Sequence, residues 1–325
     1  MPVADTLAAR FRADLLRVAT ALPSPDRRIG IAVSGGPDSL ALLLLAHAAC
    51  PGAVAAATVD HGLRPEAAAE ARMVGSVCAG LGIPHHLLTG NAGIGPGSVQ
   101  QRARRLRYAL LGDWAAAERL GWLATAHHLD DQAETLLMRA VRGGGTAGLS
   151  GVRARMTMAG MPVPVIRPLL GWRRATLGDV VAQAGLVAAD DPSNRDPAYD
   201  RTAFRALLAN APRLRPEGLA RTAANLANAE EALCWAVGQL AEVRLTAEGG
   251  AILCDPSGLP RELRRRLVAA AIARVAGISG AVPLRGESLD RFIALLDSGR
   301  AATLAGVAAR PGSSWRLRLA PPRRA

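Results

Sequence analysis

The sequence predicts an α/β protein: a doubly wound parallel sheet, followed by a smaller, mainly helical C-terminal domain. Three observations carry this expectation. Short apolar strand candidates alternate with helical patterns from Ile29 to Arg142. A glycine turn joins the first of these strands directly to a helix. Beyond Arg142 the texture changes, first to a loop-rich stretch and then to one long helical pattern. Half of the 325 residues are apolar, enough to fill a sizeable core.

Leu7, Phe11, Leu15 and Val18 recur at helical spacing among Asp5, Arg10, Arg12, Asp14 and Arg17, an amphipathic helix rather than a secretory signal, so a cytoplasmic protein is expected. Residues 29–33 read as a buried strand, Ser34–Ser39 as a turn, and Leu40–Ala49 as a helix. A second strand spans Ala53–Val59 and closes on Asp60-His61. Helical patterning over 65–80, a strand at 83–88, an arginine-studded helix at 98–120, a strand at Gly121–Ala126 and a helix at Leu129–Arg142 follow. Such alternation places functional residues where strands end and helices begin. Gly143-Gly144-Gly145 opens loops that run to about Pro168; a helix at 175–185, a polar turn at Asp190–Asn194 and a helix from near Tyr199 come next. Pro212 and Pro216 mark the expected boundary between a catalytic domain, 1–215, and a basic C-terminal domain, 216–325. The second opens with a helical arm at 217–247, then offers a strand at 251–254, helices at 260–276 and 287–297, and a β-like tail at Trp315–Leu319. No membrane contact is expected, because the longest apolar run, Leu40–Ala46, is far short of the ~20 residues a spanning helix needs.

The 39 basic residues exceed the 27 acidic ones by 12, and every basic residue is arginine. A polyanionic partner, nucleic acid above all, fits this excess. The absence of lysine excludes a lysine Schiff base, a pyridoxal-phosphate site and a Walker phosphate loop. Residues 206–325 hold 17 Arg against 10 acidic residues, net +7, and residues 1–205 hold 22 against 17, net +5. The shorter segment is the more basic per residue and, with its Arg264-Arg265-Arg266 run, is expected to be a tRNA-binding domain. Cys50, Cys78, Cys234 and Cys254 include no Cys-x-x-Cys, against a disulfide framework, a zinc ribbon or an iron–sulfur cluster.

Two constellations can carry chemistry. Ser34-Gly35-Gly36-Pro37-Asp38-Ser39 sits between strand and helix, where backbone N–H groups and the helix's positive end converge on an anion. At the mouth of the fourth strand stands Thr125-Ala-His127-His128-Leu-Asp130-Asp131-Gln-Ala-Glu134. If the helix begins near His128, then His127, Asp131 and Glu134 share a face, where they can bind Mg²⁺, accept an ammonium group or act as bases. Asp60-His-Gly-Leu-Arg64, at the end of the second strand, lies within reach of the same region.

The loop Ser34–Ser39 resembles the pyrophosphate-binding loop (PP-loop) of the N-type ATP pyrophosphatases. With Asp60–Arg64, Ala103–Tyr108, Thr125–Thr135, Gly145–Leu149, Arg167–Leu170 and Asp191–Asn194, it follows the order seen in tRNA(Ile)-lysidine synthases over about residues 27–205. Where those enzymes commonly carry Asn-Arg after the tyrosine, this chain has Arg201-Thr202. The resemblance implies that ATP, with Mg²⁺, adenylates the wobble cytidine of tRNA-Ile with a CAU anticodon, and that free L-lysine then displaces AMP. It implies that Ser34, Gly35, Gly36, Pro37, Asp38 and Ser39 hold the pyrophosphate. His127, Asp131 and Glu134 would line the reaction pocket with Asp38, and Arg64, Arg107, Arg139, Arg142 and Arg205 would face phosphate or RNA. Metal ligands are not assigned, and a homodimer is allowed. Three competing readings are a tRNA thiolase, a glutamine-dependent or amino-acid-adenylating synthetase of small substrates, and a nucleotide-binding or RNA-binding module without catalysis. The cysteine spacing disfavours the first. The charge, and the lack of an amidotransferase segment, disfavour the second. The His127 constellation disfavours the third, since simple binding does not require it.

Overall fold

The computed structural model describes residues 3–62, 67–91, 98–158, 160–189, 200–277 and 286–321. They form two compact units, Met1–Ala227 and Asn228–Ala325. The division falls inside the long helix Pro216–Arg244, beyond Pro212 and Pro216.

The first unit is built on a six-stranded sheet. Its strands are β1 (Ile29–Ala32), β2 (Val54–Asp60), β3 (His85–Thr89), β4 (Trp122–Ala124), β5 (Arg155–Met156) and β6 (Val165–Ile166). They lie in the order β3-β2-β1-β4-β6-β5, all parallel but for β5, which runs antiparallel to β6. The inner strands β1, β2, β4 and β6 are buried on both faces, and the two-residue period divides their side chains between two cores. Ile29, Ile31, Val54, Ala56, Trp122, Ala124 and Ile166 pack on one side with α1 (Asp5–Ala19), α2 (Pro37–Ala49) and α7 (Arg174–Gln183). Ala55, Ala57, Leu123 and Val165 pack on the other with Tyr108, Leu111 and Trp114 of α4 (Val99–Ala117). Gly30 is required there, since a Cβ would sit 2.5 Å from Leu120 and 2.7 Å from the Trp114 ring. Nine of the thirteen residues of α2 are buried, which is why its sequence is apolar all round.

The remaining elements of this unit are α3 (Ala67–Gly80), α5 (Leu129–Val141), the short α6 (Thr146–Leu149) and α8 (Asp200–Asn210). The sequence marks 143–168 as loops, yet it contributes β5 and β6, each only two residues long. The polar turn at 190–194 lies outside the described residues.

The second unit continues α9 (Pro216–Arg244) into a five-stranded antiparallel sheet, packed with α10 (Arg261–Ala276) and α11 (Gly286–Asp297). The helices are as expected, and the sheet is larger than the sequence shows. Besides β8 (Ala251–Cys254) and β11 (Trp315–Leu319) it holds β7 (Leu245–Glu248), β9 (Ala302–Leu304) and β10 (Val307–Arg310). These three are short alanine-rich segments without strong β-propensity, organised by pairing.

The expectation for Arg264–Arg266 is corrected here. Arg264 pairs with Asp297 and stacks over Trp315 at 5.1 Å. Arg265 pairs with Glu262 at 2.9 Å and Asp290 at 2.6 Å. Arg266 forms a fork with Glu230, at 2.7 and 2.8 Å, and reaches Glu262 at 2.7 Å. The run is internal cross-linking of a helix packed on its neighbours. Arg266→Met should therefore lower the urea stability of this unit by about 3 kcal/mol, the scale for breaking one side of a buried ion pair. A change below ~0.5 kcal/mol would return the run to the free surface.

Candidate active site

Strand order reverses at β1, whose neighbours are β2 and β4: the chain passes from β1 to β2 on one side and from β4 to β6 on the other, so right-handed crossovers carry the two connections to opposite faces of the sheet. A crevice opens at that switch point, at the carboxyl ends of the strands. It is a cavity of about 1130 Å³, lined by the 34–39 loop, the end of β2, the middle of α4, the mouth of β4 and the start of α8.

The 34–39 loop is ordered by its serines. The Ser34 amide donates to Ser39 Oγ at 3.1 Å, Ser39 Oγ donates to the Gly36 carbonyl at 2.9 Å, and the two hydroxyls lie 3.3 Å apart. Gly35 has φ +84°, a backbone that L side chains rarely adopt. Gly36 is the N-cap of α2 and makes no side-chain cap, and Pro37 takes the first turn, where no amide hydrogen is needed. The amides at the start of α2 are thus aimed at the cavity. Asp38 brings one oxygen to 3.5 Å from His128 Nε2, while its buried Oδ1 has no hydrogen-bond partner. That oxygen is the best-placed protein atom for a cation. Among the described residues no three His, Cys, Asp or Glu side chains form a metal cage.

Helix α5 starts one residue later than a common face for His127, Asp131 and Glu134 requires. Its N-cap is His128: Nδ1 accepts from the Asp131 amide at 3.4 Å, and Asp131 Oδ2 accepts from the His128 amide at 3.0 Å. His127 therefore precedes the helix. It and Asp131 line the cavity, and Glu134 does not. Glu134 is buried and clamped, accepting from Arg201 Nε and Arg205 Nε at 3.0 Å each. This corrects the expectation for Glu134: its carboxylate holds α8, a helix with no buried residue of its own.

Burial alone would raise the pKa of Asp131. The neighbouring His128, Arg201 and His127 and the His128 amide outweigh it, so Asp131 lies below the ordinary carboxylate range. His128 is raised: burial opposes its charge, but the contact with Asp38 and the charges of Asp131, Asp38 and Asp130 prevail. His127 goes the other way. Burial, with Arg167, Arg201 and Arg104 nearby, pushes it down to about 4 against the pull of Asp131.

Of the expected phosphate or RNA contacts, Arg107, Arg142 and Arg205 line the cavity. Arg142 pairs with Asp200. Arg139 does not line it: its guanidinium donates to the Gly148 carbonyl at 2.6 Å and the Gly151 carbonyl at 3.0 Å, and so fixes the turn after α5. Arg64 lies outside the described residues. Arg104, Arg174 and Arg201 line the cavity without having been singled out as contacts. For Arg104 the signal was available, since it lies one helical turn before Tyr108 and its guanidinium stacks on that ring at 5.0 Å.

The PP-loop domain family matches residues 7–211. The chain is 45% identical to the tRNA(Ile)-lysidine synthase of Zymomonas mobilis over 93% of its own length and 92% of the relative's. It is 46% identical to the tRNA(Ile)-lysidine synthase of Novosphingobium aromaticivorans, over 98% and 95% respectively. Among solved structures, the U34-tRNA thiolase NcsA of Methanococcus maripaludis superposes with a TM-score of 0.56 at 16% identity, over 71% of this chain and 80% of that one, a likeness of fold.

The sign of the His127 shift gives a stability test. A histidine held below its unfolded value of about 6.5 binds fewer protons folded than unfolded, so it removes stability as pH falls from about 6.5 to about 4. His127→Gln should lose less melting temperature than the parent across that window. Parallel curves would contradict the assignment.

Proposed function

Because the chain belongs to the tRNA(Ile)-lysidine synthase family of PP-loop, ATP-binding, tRNA-modifying ligases, we propose that it joins free L-lysine to C2 of the wobble cytidine of tRNA-Ile with a CAU anticodon. The reaction runs through an adenylated tRNA and yields lysidine, AMP and diphosphate. One observation carries the reading. The anion-binding loop at 34–39, the His127–Asp131 pair and several arginines line a single cavity large enough for a nucleotide and a second substrate.

In the first step the C2 oxygen attacks the α-phosphorus of ATP and the bond to diphosphate breaks. The amides at the start of α2, with the Ser34 hydroxyl, hold the departing diphosphate, and Ser39 orders the loop that presents them. Asp38 would hold Mg²⁺, which would supply charge neutralisation for the departing diphosphate when bound. In the second step the lysine ε-amine, having released its proton to solvent, attacks C2, and the bond between C2 and the AMP oxygen breaks. A urea-like C2 carbonyl needs such a leaving group. Asp131, held ionised at pH 7, is a poor base and a good acceptor for an ammonium group, so it recognises the lysine cation. Arg107, Arg142 and Arg205, with Arg104, Arg174 and Arg201, supply positive charge along the cavity for phosphates of ATP and tRNA.

A thiolase reading lacks its sulfur carrier. None of the cysteines lines this cavity, and burial pushes Cys78 up to about 11, far from a usable thiolate.

Diphosphate release should require tRNA, and AMP release both tRNA and lysine, with sulfide and glutamine inert as donors. Asp38→Ala should reduce both by at least about a hundredfold, with an unchanged circular dichroism spectrum. Near-full turnover in that variant, or equal release with glutamine, would overturn the reading.

A further inference from the structure

We propose that Arg167 is a positioning residue that fixes His127 as the neutral tautomer protonated on Nε2, so that His127 acts as a hydrogen-bond donor to an oxygen and not as a base. Arg167 immediately follows β6, and its amide donates to the Ala154 carbonyl at 2.8 Å, so the sheet edge sets its place. The side chain is only 2% exposed. Its Nε donates to His127 Nδ1 at 3.3 Å, Nη1 to the Arg153 carbonyl at 2.7 Å, and Nη2 to Met156 Sδ at 3.3 Å.

A guanidinium nitrogen can only donate. The His127 nitrogen that receives it must therefore offer a lone pair, and the ring proton must sit on Nε2. An imidazolium, or the Nδ1-protonated tautomer, would set two N–H groups against each other. Thr125 Oγ1, 3.0 Å from the same Nδ1, can donate to it but cannot decide the tautomer, because a hydroxyl also accepts. Arg167 decides it. Among the described residues Arg167 forms no ion pair with a carboxylate, so its charge stands uncompensated beside the ring and opposes a second cation there. The charged groups acting on His127 are Asp131, which favours protonation, and Arg167, Arg201 and Arg104, which oppose it.

The consequence is chemical. His127 Nε2 has no protein partner among the described residues, and the residue lines the cavity. A neutral imidazole N–H there stabilises negative charge growing on an oxygen without giving up its proton. On the proposed function, on which this use rests, that oxygen belongs to the C2 carbonyl or to the α-phosphate.

The test labels histidine with ¹⁵N in the full-length protein and records ring correlations at pH 7 without ATP, tRNA or lysine. His127→Asn identifies the resonance by its loss. The expected spectrum is that of a neutral ring protonated on Nε2. In Arg167→Gln the ring should become a tautomer mixture, and kcat for lysidine formation should fall about tenfold to a hundredfold, with KM for ATP within about twofold. Arg167→Lys, which keeps a charged donor, should recover part of both. An Nδ1-protonated or cationic His127 in the parent protein overturns the inference, as does an unchanged tautomer in Arg167→Gln. If Arg167→Gln does not fold, the parent spectrum decides alone. The spectrum needs no substrate, so absence of lysine-dependent turnover would sink the proposed function and leave the tautomer assignment standing.

Discussion

The site depends on one topological constraint, the meeting of β1 and β4 side by side with their connections leaving in opposite directions. Parallel strands need crossovers, and at a reversal of strand order two crossovers diverge and leave a crevice between them. The Ser34–Ser39 loop and the His127–Asp131 segment are far apart in sequence and meet only for this reason. Both loops are short and both run straight into a helix whose first turn faces the opening. The crevice is thus lined by helix N-termini on two sides, a field that favours anions before any arginine is added.

Arginine then divides into two populations. Those at 104, 107, 142, 174, 201 and 205 line the cavity, 142 paired with Asp200 and 201 and 205 with Glu134, and those at 139, 167 and 264–266 hold the protein together or orient a neighbour. A guanidinium is always charged and donates in a planar fork, so it suits both tasks, and a chain without lysine must use it for both. Net charge and runs of basic residues therefore say little about where a polyanion lies. The acids that sit among these side chains decide. Glu134 shows the same rule from the other side: it joins α8 to α5 through Arg201 and Arg205, and that leaves it no surface in the cavity.

The layout of the first unit was legible because short apolar strand segments alternate with helical patterns and α2 is apolar over nearly its whole length. The anion loop was legible because glycine, proline and serine at 34–39 each have a local reason to be there. What the sequence hid was long-range. The two-residue strands β5 and β6 carry no period of their own, and the alanine-rich strands of the second sheet acquire their form from pairing. Helix α5 starts at Leu129, as the sequence indicates, so His127 lies before it; that His128 caps it through its ring, an uncommon cap, had no sequence signal. Arg167, in Arg167-Pro-Leu-Leu170, is part of a motif the sequence displays, yet its role follows only from the distance to His127 Nδ1.

On the proposed function this one crevice performs both adenylation and amine transfer, with Asp131 acting in the second. A pulse–chase with ATP labelled at the α-phosphate tests it most directly. Without lysine, the parent protein should place label on tRNA, and added lysine should release it as AMP. Asp131→Asn should still place label on the tRNA but fail to release it on the chase. Absence of label on tRNA in the parent protein, or loss of labelling in Asp131→Asn with normal lysine capture on preformed adenylate, would contradict the account.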